Sequence, residues 1–197
     1  MGSKTEMRKL YLFDMITLDG FFEGPNREIE WHNVDEEFND FAIEQLGSTD
    51  ILLFGRVTYE LMAGYWPTAT AIKNDPTIAG RMNSISKIVF SKTLQQADWH
   101  NTRLIRENPA GEISILKQQP GKDIAIFGSA ELATGLRELD LIDEYRIMVN
   151  PVVLGSGKPL FKGIHDKLKL RLLKTKTFGS GNVLLYYQHD KKESGTF

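Results

Sequence analysis

The sequence predicts a single α/β domain built on a mixed, mostly parallel β-sheet that is flanked by helices and closed by a C-terminal antiparallel hairpin. Three observations lead to this prediction. Short apolar runs alternate with segments of helical spacing along most of the 197 residues. Two of these runs, 51–54 and 124–127, stop at a glycine that precedes a helix-compatible stretch. The last part of the chain, 168–189, is rich in β-forming residues and turns at Gly179-Ser180-Gly181, as hairpins do.

The strands are predicted from apolar and β-branched runs that end at turn residues. The first run stops before Thr17-Leu18-Asp19-Gly20, where Asp-Gly marks a turn. The Gly179-Ser180-Gly181 turn separates the last two strands. In chain order the predicted strands are 9–15, 51–54, 87–90, 103–105, 123–127, 145–150, 168–178 and 182–189.

The helices are predicted from apolar residues three and four apart. Val34, Phe38 and Phe41 show this spacing after the first loop, and Pro76 suits the first turn of a later helix. Each predicted helix lies between two predicted strands, which is the order that builds a parallel sheet. In chain order the predicted helices are 34–46, 56–64, 76–85, 112–118 and 130–139.

Composition excludes several classes of protein. The apolar share is 41%, and 24 Lys and Arg face 26 acidic residues, so no basic excess favours nucleic acid or a membrane surface. The absence of cysteine excludes disulfides and thiolate ligands. No long apolar run or signal-peptide pattern is seen, so we expect a cytoplasmic protein whose domain covers 8–189, with flexible termini at 1–7 and 190–197.

The two glycine junctions are candidate phosphate sites. A helix that starts directly after a glycine presents unpaired N–H groups and the positive end of its dipole. Arg56 follows Gly55 at a place where the dipole disfavours a cation, and a phosphate would offset that cost. Thr58 adds a hydroxyl, and Gly128 opens the second site. One junction alone is explained by ordinary strand termination, but the pair favours the pyrophosphate of a dinucleotide.

A third polar strand end, Ser91-Lys92, follows the strand 87–90. It is either an ordinary loop start or a contact for a further phosphate, such as the 2′-phosphate of adenosine. The second interpretation favours NADPH over NADH.

Several segments resemble the dihydrofolate-reductase-like superfamily. Residues 55–60, Gly-Arg-Val-Thr-Tyr-Glu, resemble the cofactor motif of dihydrofolate reductases. Residues 17–20, 127–132, 141–145 and 151–157 are similar to the reductase domain of bifunctional riboflavin biosynthesis proteins. The resemblance covers roughly 8–189 and implies a sheet of about eight strands, NADPH as hydride donor and a homodimer.

The resemblance also implies roles for individual residues. Gly55, Arg56 and Thr58 would hold one side of the pyrophosphate, and Ser91 would lie near the adenosine ribose. The second phosphate-binding helix start would be formed by Gly128, Ser129, Ala130 and Leu132. The end of the first strand, Asp14 and Met15, would face the nicotinamide.

The chain also departs from the riboflavin reductase pattern. Ser129 stands where the family often has a second glycine, and Phe21 stands where a basic residue is usual. Tyr59-Glu60-Leu61-Met62 replaces a segment that commonly contains Asp-Pro. The last two changes fall in the segments that the resemblance assigns to substrate binding, so the sequence defines the substrate less well than the cofactor.

For proton supply, dihydrofolate-reductase-like sites use a carboxylate on the helix before the first glycine junction. Asp40 and Asp35 are the candidates, although an acid at a helix start is usually a cap. Trp31, Tyr59 and Trp66 are candidates to stack on a flat substrate, with a place in the core as the alternative.

Two other motifs are rejected. Gly155-Ser156-Gly157-Lys158-Pro159 lacks the glycine and the Ser or Thr of a phosphate loop, so it is predicted to be a turn. No metal site is predicted, because the four histidines, His32, His100, His165 and His189, share no metal-ligand spacing.

Together these features predict an NADPH-dependent reductase of a small heterocyclic or sugar-linked substrate. By resemblance the reaction is reduction of 5-amino-6-(5-phosphoribosylamino)uracil. A dihydrofolate or pterin reductase and a catalytically silent nucleotide-binding accessory protein are the alternatives.

Overall fold

Residues 7–164 and 167–190, the part of the chain that the computed structural model describes, form ten strands and six helices. His165 and most of the termini predicted to be flexible, 1–6 and 191–197, lie outside these residues. None of the helices in the described ranges has the length and apolar character needed to cross a membrane.

The strands share one main sheet, except for two short ones that pair with each other. They are β1 (Leu10–Thr17), β2 (Phe21–Glu23), β3 (Thr49–Gly55), β4 (Ser86–Phe90), β5 (Thr102–Ile105), β6 (Asp123–Phe127), β7 (Glu144–Asn150), β8 (Lys158–Pro159), β9 (Leu170–Thr177) and β10 (Val183–His189).

The helices connect the parallel strands. They are α1 (Glu36–Gly47), α2 (Arg56–Tyr65), α3 (Ala69–Asn74), α4 (Pro76–Ser84), α5 (Pro109–Gln118) and α6 (Ala130–Glu138).

The main sheet has the order β5-β4-β3-β6-β1-β7-β10-β9. The six strands from β5 to β7 are parallel, whereas β10 runs antiparallel to both β7 and β9. The predicted mixed sheet with a C-terminal hairpin is therefore confirmed. Strand β6 lies between β1 and β3, so the carboxyl ends of these three strands meet at one edge of the sheet, where open α/β sheets bind ligands.

Apolar side chains cover both faces of the sheet. On one face Leu12 and Ile126 pack against Ala133 and Leu136 of α6, together with residues of α5. On the other face α1, α2 and α4 cover Tyr11, Leu52 and their neighbours. Because both faces are buried, the central strands read as continuous apolar runs rather than as alternating ones.

The boundaries differ from the predicted ones for local reasons. Helix α1 begins at Glu36 because the side chain of Asp35 accepts a hydrogen bond from the N–H of Phe38 (2.8 Å) and caps the helix. Helix α5 begins earlier than predicted, at Pro109, behind Asn108, which caps it through the N–H of Gly111. The short elements α3, β2 and β8 were not predicted, because two to six residues give too little periodic signal.

The turn after β1 and the segment after β7 are fastened together. The carboxylate of Asp19 accepts hydrogen bonds from the N–H groups of Leu154 (3.3 Å) and Gly155 (2.8 Å) and from the hydroxyl of Thr17 (2.6 Å). These bonds hold the pKa of Asp19 below its usual value, with the Thr17 hydroxyl the largest cause. Two of the segments that resemble the riboflavin reductases, 17–20 and 151–157, thus serve to hold each other in place. Residues 155–157 form a bend, as predicted, whereas Lys158 and Pro159 of the same segment form β8.

Candidate active site

The two glycine junctions meet through the side chain of Ser129. Its hydroxyl oxygen accepts a hydrogen bond from the N–H of Gly55 (2.7 Å) and donates one to the hydroxyl of Thr58 (2.8 Å). Gly55 precedes α2 and Ser129 precedes α6, so one side chain joins the N-termini of both helices. The carboxyl ends of β3 and β6 therefore form a single site.

The backbone at the second junction has an uncommon conformation. Gly128 has φ +60° and Ser129 has φ +61°, both in the left-handed region that disfavours residues other than glycine. A Cβ atom on Gly128 would lie 3.2 Å from Cγ2 of Thr58, so the close approach of the two helices also requires glycine there. Two successive left-handed residues turn the chain sharply from β6 into α6.

The start of α2 fits a phosphate. Neither α2 nor α6 has a side-chain cap hydrogen bond at its N-terminus, so backbone N–H donors remain available at both. The first turn of α6 contains Glu131, whereas the first turn of α2 contains no acid and begins with Arg56. The α2 start is thus the more electropositive of the two. Ala130, buried in the first turn of α6, and Leu132, whose Cβ lies 3.9 Å from the Cβ position of Gly55, complete the junction.

The guanidinium of Arg56, the first residue of α2, is only loosely held. It pairs with Glu60 one turn along α2, at 3.0 Å and 3.2 Å, and both side chains are about half exposed. Exposed pairs of this kind contribute about 0.2–1 kcal/mol. A phosphate that accepts two hydrogen bonds from Arg56 therefore competes with a weak partner.

A basic group of residues adjoins the predicted adenosine end. The Ser91 hydroxyl accepts hydrogen bonds from the N–H groups of Thr93 and Leu94, so it shapes its own loop. Arg106, directly after β5, donates to the carbonyl oxygens of Lys92 (3.4 Å) and Gln95 (3.1 Å). Sequence reasoning singled out Ser91 and Lys92 but missed Arg106, although its position directly after a strand that ends at the same edge was the signal available.

The two predicted nicotinamide-facing residues lie inside β1, which continues beyond the predicted end at Met15 to Thr17, and they point to opposite faces of the sheet. Met15 is buried against Phe41 and Phe178, on the face covered by α1. Asp14 is buried on the face covered by α6, and its Oδ2 has no hydrogen-bond partner among the described residues. Burial raises the pKa of Asp14 to about 8.

The structure does not bring the predicted proton donors together with Asp14. Asp35 caps α1, and Asp40 is exposed on the same helix. Asp14 is a buried carboxyl group with a raised pKa, which is the property that a general acid needs at neutral pH. The roles of Asp35 and Asp40 in proton transfer stay predictions.

The three candidate stacking residues have different environments. Tyr59 is buried in the core, where its hydroxyl oxygen accepts a hydrogen bond from the N–H of Trp99 (3.0 Å). Trp66 ends α2 and donates to the sulfur of Met62 (3.2 Å). Trp31 is partly exposed in the loop before α1, and its ring packs edge-on against that of His32, with 4.4 Å between the ring centroids. Trp31 and Trp66 are thus both partly exposed, unlike Tyr59, and substrate contact stays a prediction for each.

His32 is a partly buried polar residue that sequence reasoning did not select for this site, and its Nε2 atom is out of contact with solvent. Its Nε2 has no hydrogen-bond partner in the described chain, and burial lowers its pKa to about 4. The neighbouring Asn33 fixes the loop, because its N–H donates to Oδ1 of Asn150 at the end of β7 (3.0 Å). The loop that carries Trp31 and His32 is thereby held over the carboxyl edge of the sheet.

A cavity of about 790 Å³ lies on the side of α2 that faces away from Ser129. Tyr59, Glu60 and Ala63 line it, whereas Thr58, which bonds to Ser129, lies on the opposite side of the helix. The cavity is therefore separate from the junction of the two helix starts.

Fold and site together define a dihydrofolate-reductase-like α/β protein with paired helix N-termini at the carboxyl edge of its sheet. The model of the RibD C-terminal domain family matches residues 8–184. The chain therefore belongs to the RibD C-terminal domain family.

Two relatives from Bacillus subtilis (strain 168) match nearly the whole chain. The uncharacterized protein YyaP is 36% identical over 189 residues, which cover 95% of this chain and 98% of YyaP. The uncharacterized protein YwjB is 34% identical over 181 residues, covering 91% and 97% of the two chains.

Solved structures with 13–20% identity share the fold. A riboflavin biosynthesis protein from Shewanella sp. PV-4 has a TM-score of 0.70, with 93% of this chain and 99% of that chain covered. The Thermotoga maritima deaminase/5-amino-6-(5-phosphoribosylamino)uracil reductase has a TM-score of 0.65, with 93% and 57% covered. Dihydrofolate reductase from Enterococcus faecalis, complexed with NADP(H), has a TM-score of 0.61, with 93% and 97% covered.

Proposed function

We propose that the protein is an NADPH-dependent reductase of a small heterocyclic or sugar-linked substrate, similar to 5-amino-6-(5-phosphoribosylamino)uracil. The observation that carries the proposal is the single site formed by the starts of α2 and α6, joined by Ser129 and bordered by Arg56. Membership of the RibD C-terminal domain family and the fold shared with an NADP(H)-binding dihydrofolate reductase support it.

In this proposal the protein binds and orients the reactants, while the cofactor supplies the hydride when bound. The N–H groups at the start of α2 and the guanidinium of Arg56 hold the pyrophosphate. Ser91, Lys92 and Arg106 surround the adenosine end. Holding donor and acceptor close together makes the transfer effectively unimolecular, which is the main catalytic contribution of such a site.

The substrate would lie on the α1 side of the cleft, near Met15, Trp31 and Trp66. These large apolar groups suit a flat ring, and Phe21 in place of a basic residue removes one charged contact for a phosphorylated substrate. For this reason a dihydrofolate or pterin remains the second candidate substrate. Loss of NADPH absorbance at 340 nm with dihydrofolate, compared with the pyrimidine substrate, distinguishes the two.

The deciding experiment is a fluorescence titration with NADPH and with NADH. Wild-type protein is expected to bind NADPH more tightly than NADH. Arg56→Ala is expected to weaken NADPH binding about 10- to 100-fold, since a hydrogen-bonded charge contributes about 1.5–3 kcal/mol. Arg171→Ala is the matched control, because Arg171 is exposed on β9 at the far edge of the sheet. Equal affinity of the wild type and Arg56→Ala for NADPH would contradict the proposed site.

Binding of NADPH without turnover of any reductase substrate would instead favour a catalytically silent accessory protein.

A homodimer is also proposed. The edge strand β9 exposes Leu172 by 49% and Leu173 by 40%, and a second copy could cover both. Light scattering of the purified protein tests this assembly. A cytoplasmic location stays a prediction.

A further inference from the structure

Asp14 occupies a special position in the central strand. Its neighbour Phe13 lies opposite Phe127, the last residue of β6, while Asp14 itself lies opposite Ile147 of β7. Asp14 is therefore the first residue of β1 beyond the end of β6, where that chain turns through Gly128 into α6. Its side chain lies on the α6 face, in the part of β1 that the resemblance to dihydrofolate reductases implies for the nicotinamide.

The carboxyl group of Asp14 is buried and incompletely hydrogen-bonded. Only 7% of the residue is exposed, and its Oδ2 has no partner in the described part of the chain. A buried carboxylate with a free oxygen is costly, whereas a neutral carboxylic acid is tolerated. An unsatisfied group at a ligand-binding edge calls for an explanation beyond packing.

The charges near Asp14 do not favour its ionisation. Burial is the main cause of the raised pKa of Asp14, a hydrogen bond from the backbone N–H of Met15 lowers the pKa in part, and the negative charge of Glu23 on β2 raises it again. Lys158 on β8 pairs with Glu23 at 3.3 Å rather than with Asp14. On the other elements, Ile147 and Phe127 are apolar, and Glu131 in the first turn of α6 is exposed.

We propose that Asp14 is an uncharged carboxylic acid whose proton is coupled to the charge of the nicotinamide ring. This inference rests on the proposed function. Beside the neutral ring of NADPH, Asp14 keeps its proton. Beside the cationic ring of NADP⁺, the carboxylate is favoured and the proton leaves, because an opposite charge nearby stabilises the ionised form.

The coupling matches the stoichiometry of the proposed reaction. Reduction of a C=N or C=O bond adds a hydride to carbon and a proton to nitrogen or oxygen. When the O–H bond of Asp14 breaks, the electron pair stays on the carboxylate, and one proton becomes available. Asp14 recovers a proton from water once the oxidised cofactor has left.

The first test needs no cofactor. Infrared difference spectra between wild type and Asp14→Asn should show the carbonyl stretch of a protonated carboxyl at pH 7, which disappears as the pH rises through about 8. Glu23→Gln should move this transition to lower pH, because it removes a negative neighbour. Asp190→Asn, at an exposed position at the end of β10, is the matched control and should retain the signal.

The second test compares the two redox states of the cofactor. Calorimetry in two buffers of different ionisation enthalpy measures proton release at pH 7. Binding of NADP⁺ is expected to release about one proton more per site than binding of NADPH. The affinity for NADP⁺ relative to NADPH should therefore increase as the pH rises towards 8, by up to about tenfold per pH unit. Because both nucleotides carry the same ribose phosphate, its titration cancels in the comparison. Asp14→Asn should abolish the difference.

Each outcome decides the matter. A carboxylate signal at pH 7, or equal proton release with both nucleotides, overturns the role of Asp14 while leaving the proposed function in place. Failure of the wild type to bind either nucleotide overturns the proposed function and this inference with it. If Asp14→Asn does not fold, as judged by circular dichroism, the comparison of the two nucleotides on the wild type decides alone.

Discussion

The hydroxyl of Ser129 accepts a hydrogen bond from the N–H of Gly55 across 74 positions of the sequence. This contact joins the ends of β3 and β6 and sets how closely the starts of α2 and α6 approach. It also explains why a serine is tolerated in the left-handed region, where glycine is the usual residue. A second glycine there would adopt the backbone without strain but would lose the bridge.

Ser129→Ala is expected to destabilise the protein and weaken cofactor binding. The variant keeps the strained backbone, loses two hydrogen bonds and leaves the N–H of Gly55 unpaired, which together cost about 1–3 kcal/mol. Ser129→Gly should lose less stability, because the backbone strain is relieved as well. Urea denaturation measures both. Equal stability of wild type and Ser129→Ala would show that the bridge contributes nothing.

Glu60→Gln is expected to strengthen NADPH binding slightly, by up to about fivefold. The substitution removes the exposed ion pair, worth about 0.2–1 kcal/mol, that competes with phosphate for the guanidinium of Arg56. The effect should shrink at high salt, because exposed charges are screened. Fluorescence titration at two salt concentrations measures it. Weaker binding by Glu60→Gln would indicate that Glu60 orients Arg56 for the cofactor instead.

Most of the fold could be predicted because its signals are local. Apolar runs that end at Gly55 and Gly128 mark the ends of β3 and β6, and the helices after them follow from spacing. The bridge through Ser129 could not be predicted, because it depends on a left-handed backbone and on the packing of two distant helices. Sequence reasoning therefore identified two candidate phosphate-binding helix starts but not how they are joined.

The properties of Asp14 show a second limit. The sequence placed it at the nicotinamide end of β1 but gave no sign of a raised pKa. In a parallel sheet covered on both faces, alternation no longer tells a buried position from an exposed one. The resemblance to dihydrofolate-reductase-like sites implied a proton donor on α1 instead, where Asp35 is a cap and Asp40 is exposed. Burial became visible only with the helices in place.

Asp19→Asn is expected to loosen the segment after β7 without disturbing the sheet. The carboxylate accepts two backbone hydrogen bonds from that segment, and an amide supplies only one acceptor oxygen. Hydrogen exchange at the amides of Leu154 and Gly155 should become faster, while exchange in β1 and β7 stays unchanged. Unchanged protection of these two amides would mean that other contacts hold the segment.

His32→Phe is expected to change how stability depends on pH. Burial lowers the pKa of His32 to about 4 in the folded state, against about 6.5 when unfolded. Between these values the unfolded chain binds more protons, so His32 makes the free energy of unfolding fall as the pH drops from 6.5 towards 4. The Phe variant keeps the ring against Trp31 and should lose this part of the decline. Urea denaturation of both proteins between pH 4 and pH 6.5 measures this. If their free energies of unfolding fall equally as the pH drops, His32 is not held neutral in the folded protein.

Asp14→Asn is expected to stabilise the protein at pH 8 while harming its function. The pKa of Asp14 is raised to about 8 in the folded state, so between about pH 4 and pH 8 the folded chain binds more protons than the unfolded one. The free energy of unfolding contributed by Asp14 is therefore complete at low pH and falls as the pH rises, by up to about 1.4 kcal/mol per pH unit. The Asn variant carries no such loss. Its stability relative to wild type should increase steadily from pH 5 to pH 8 in urea denaturation, and Asp190→Asn should show no such trend. If the difference in stability between the two proteins does not change with pH, Asp14 ionises normally in the folded protein, and the proposed neutral carboxylic acid is wrong.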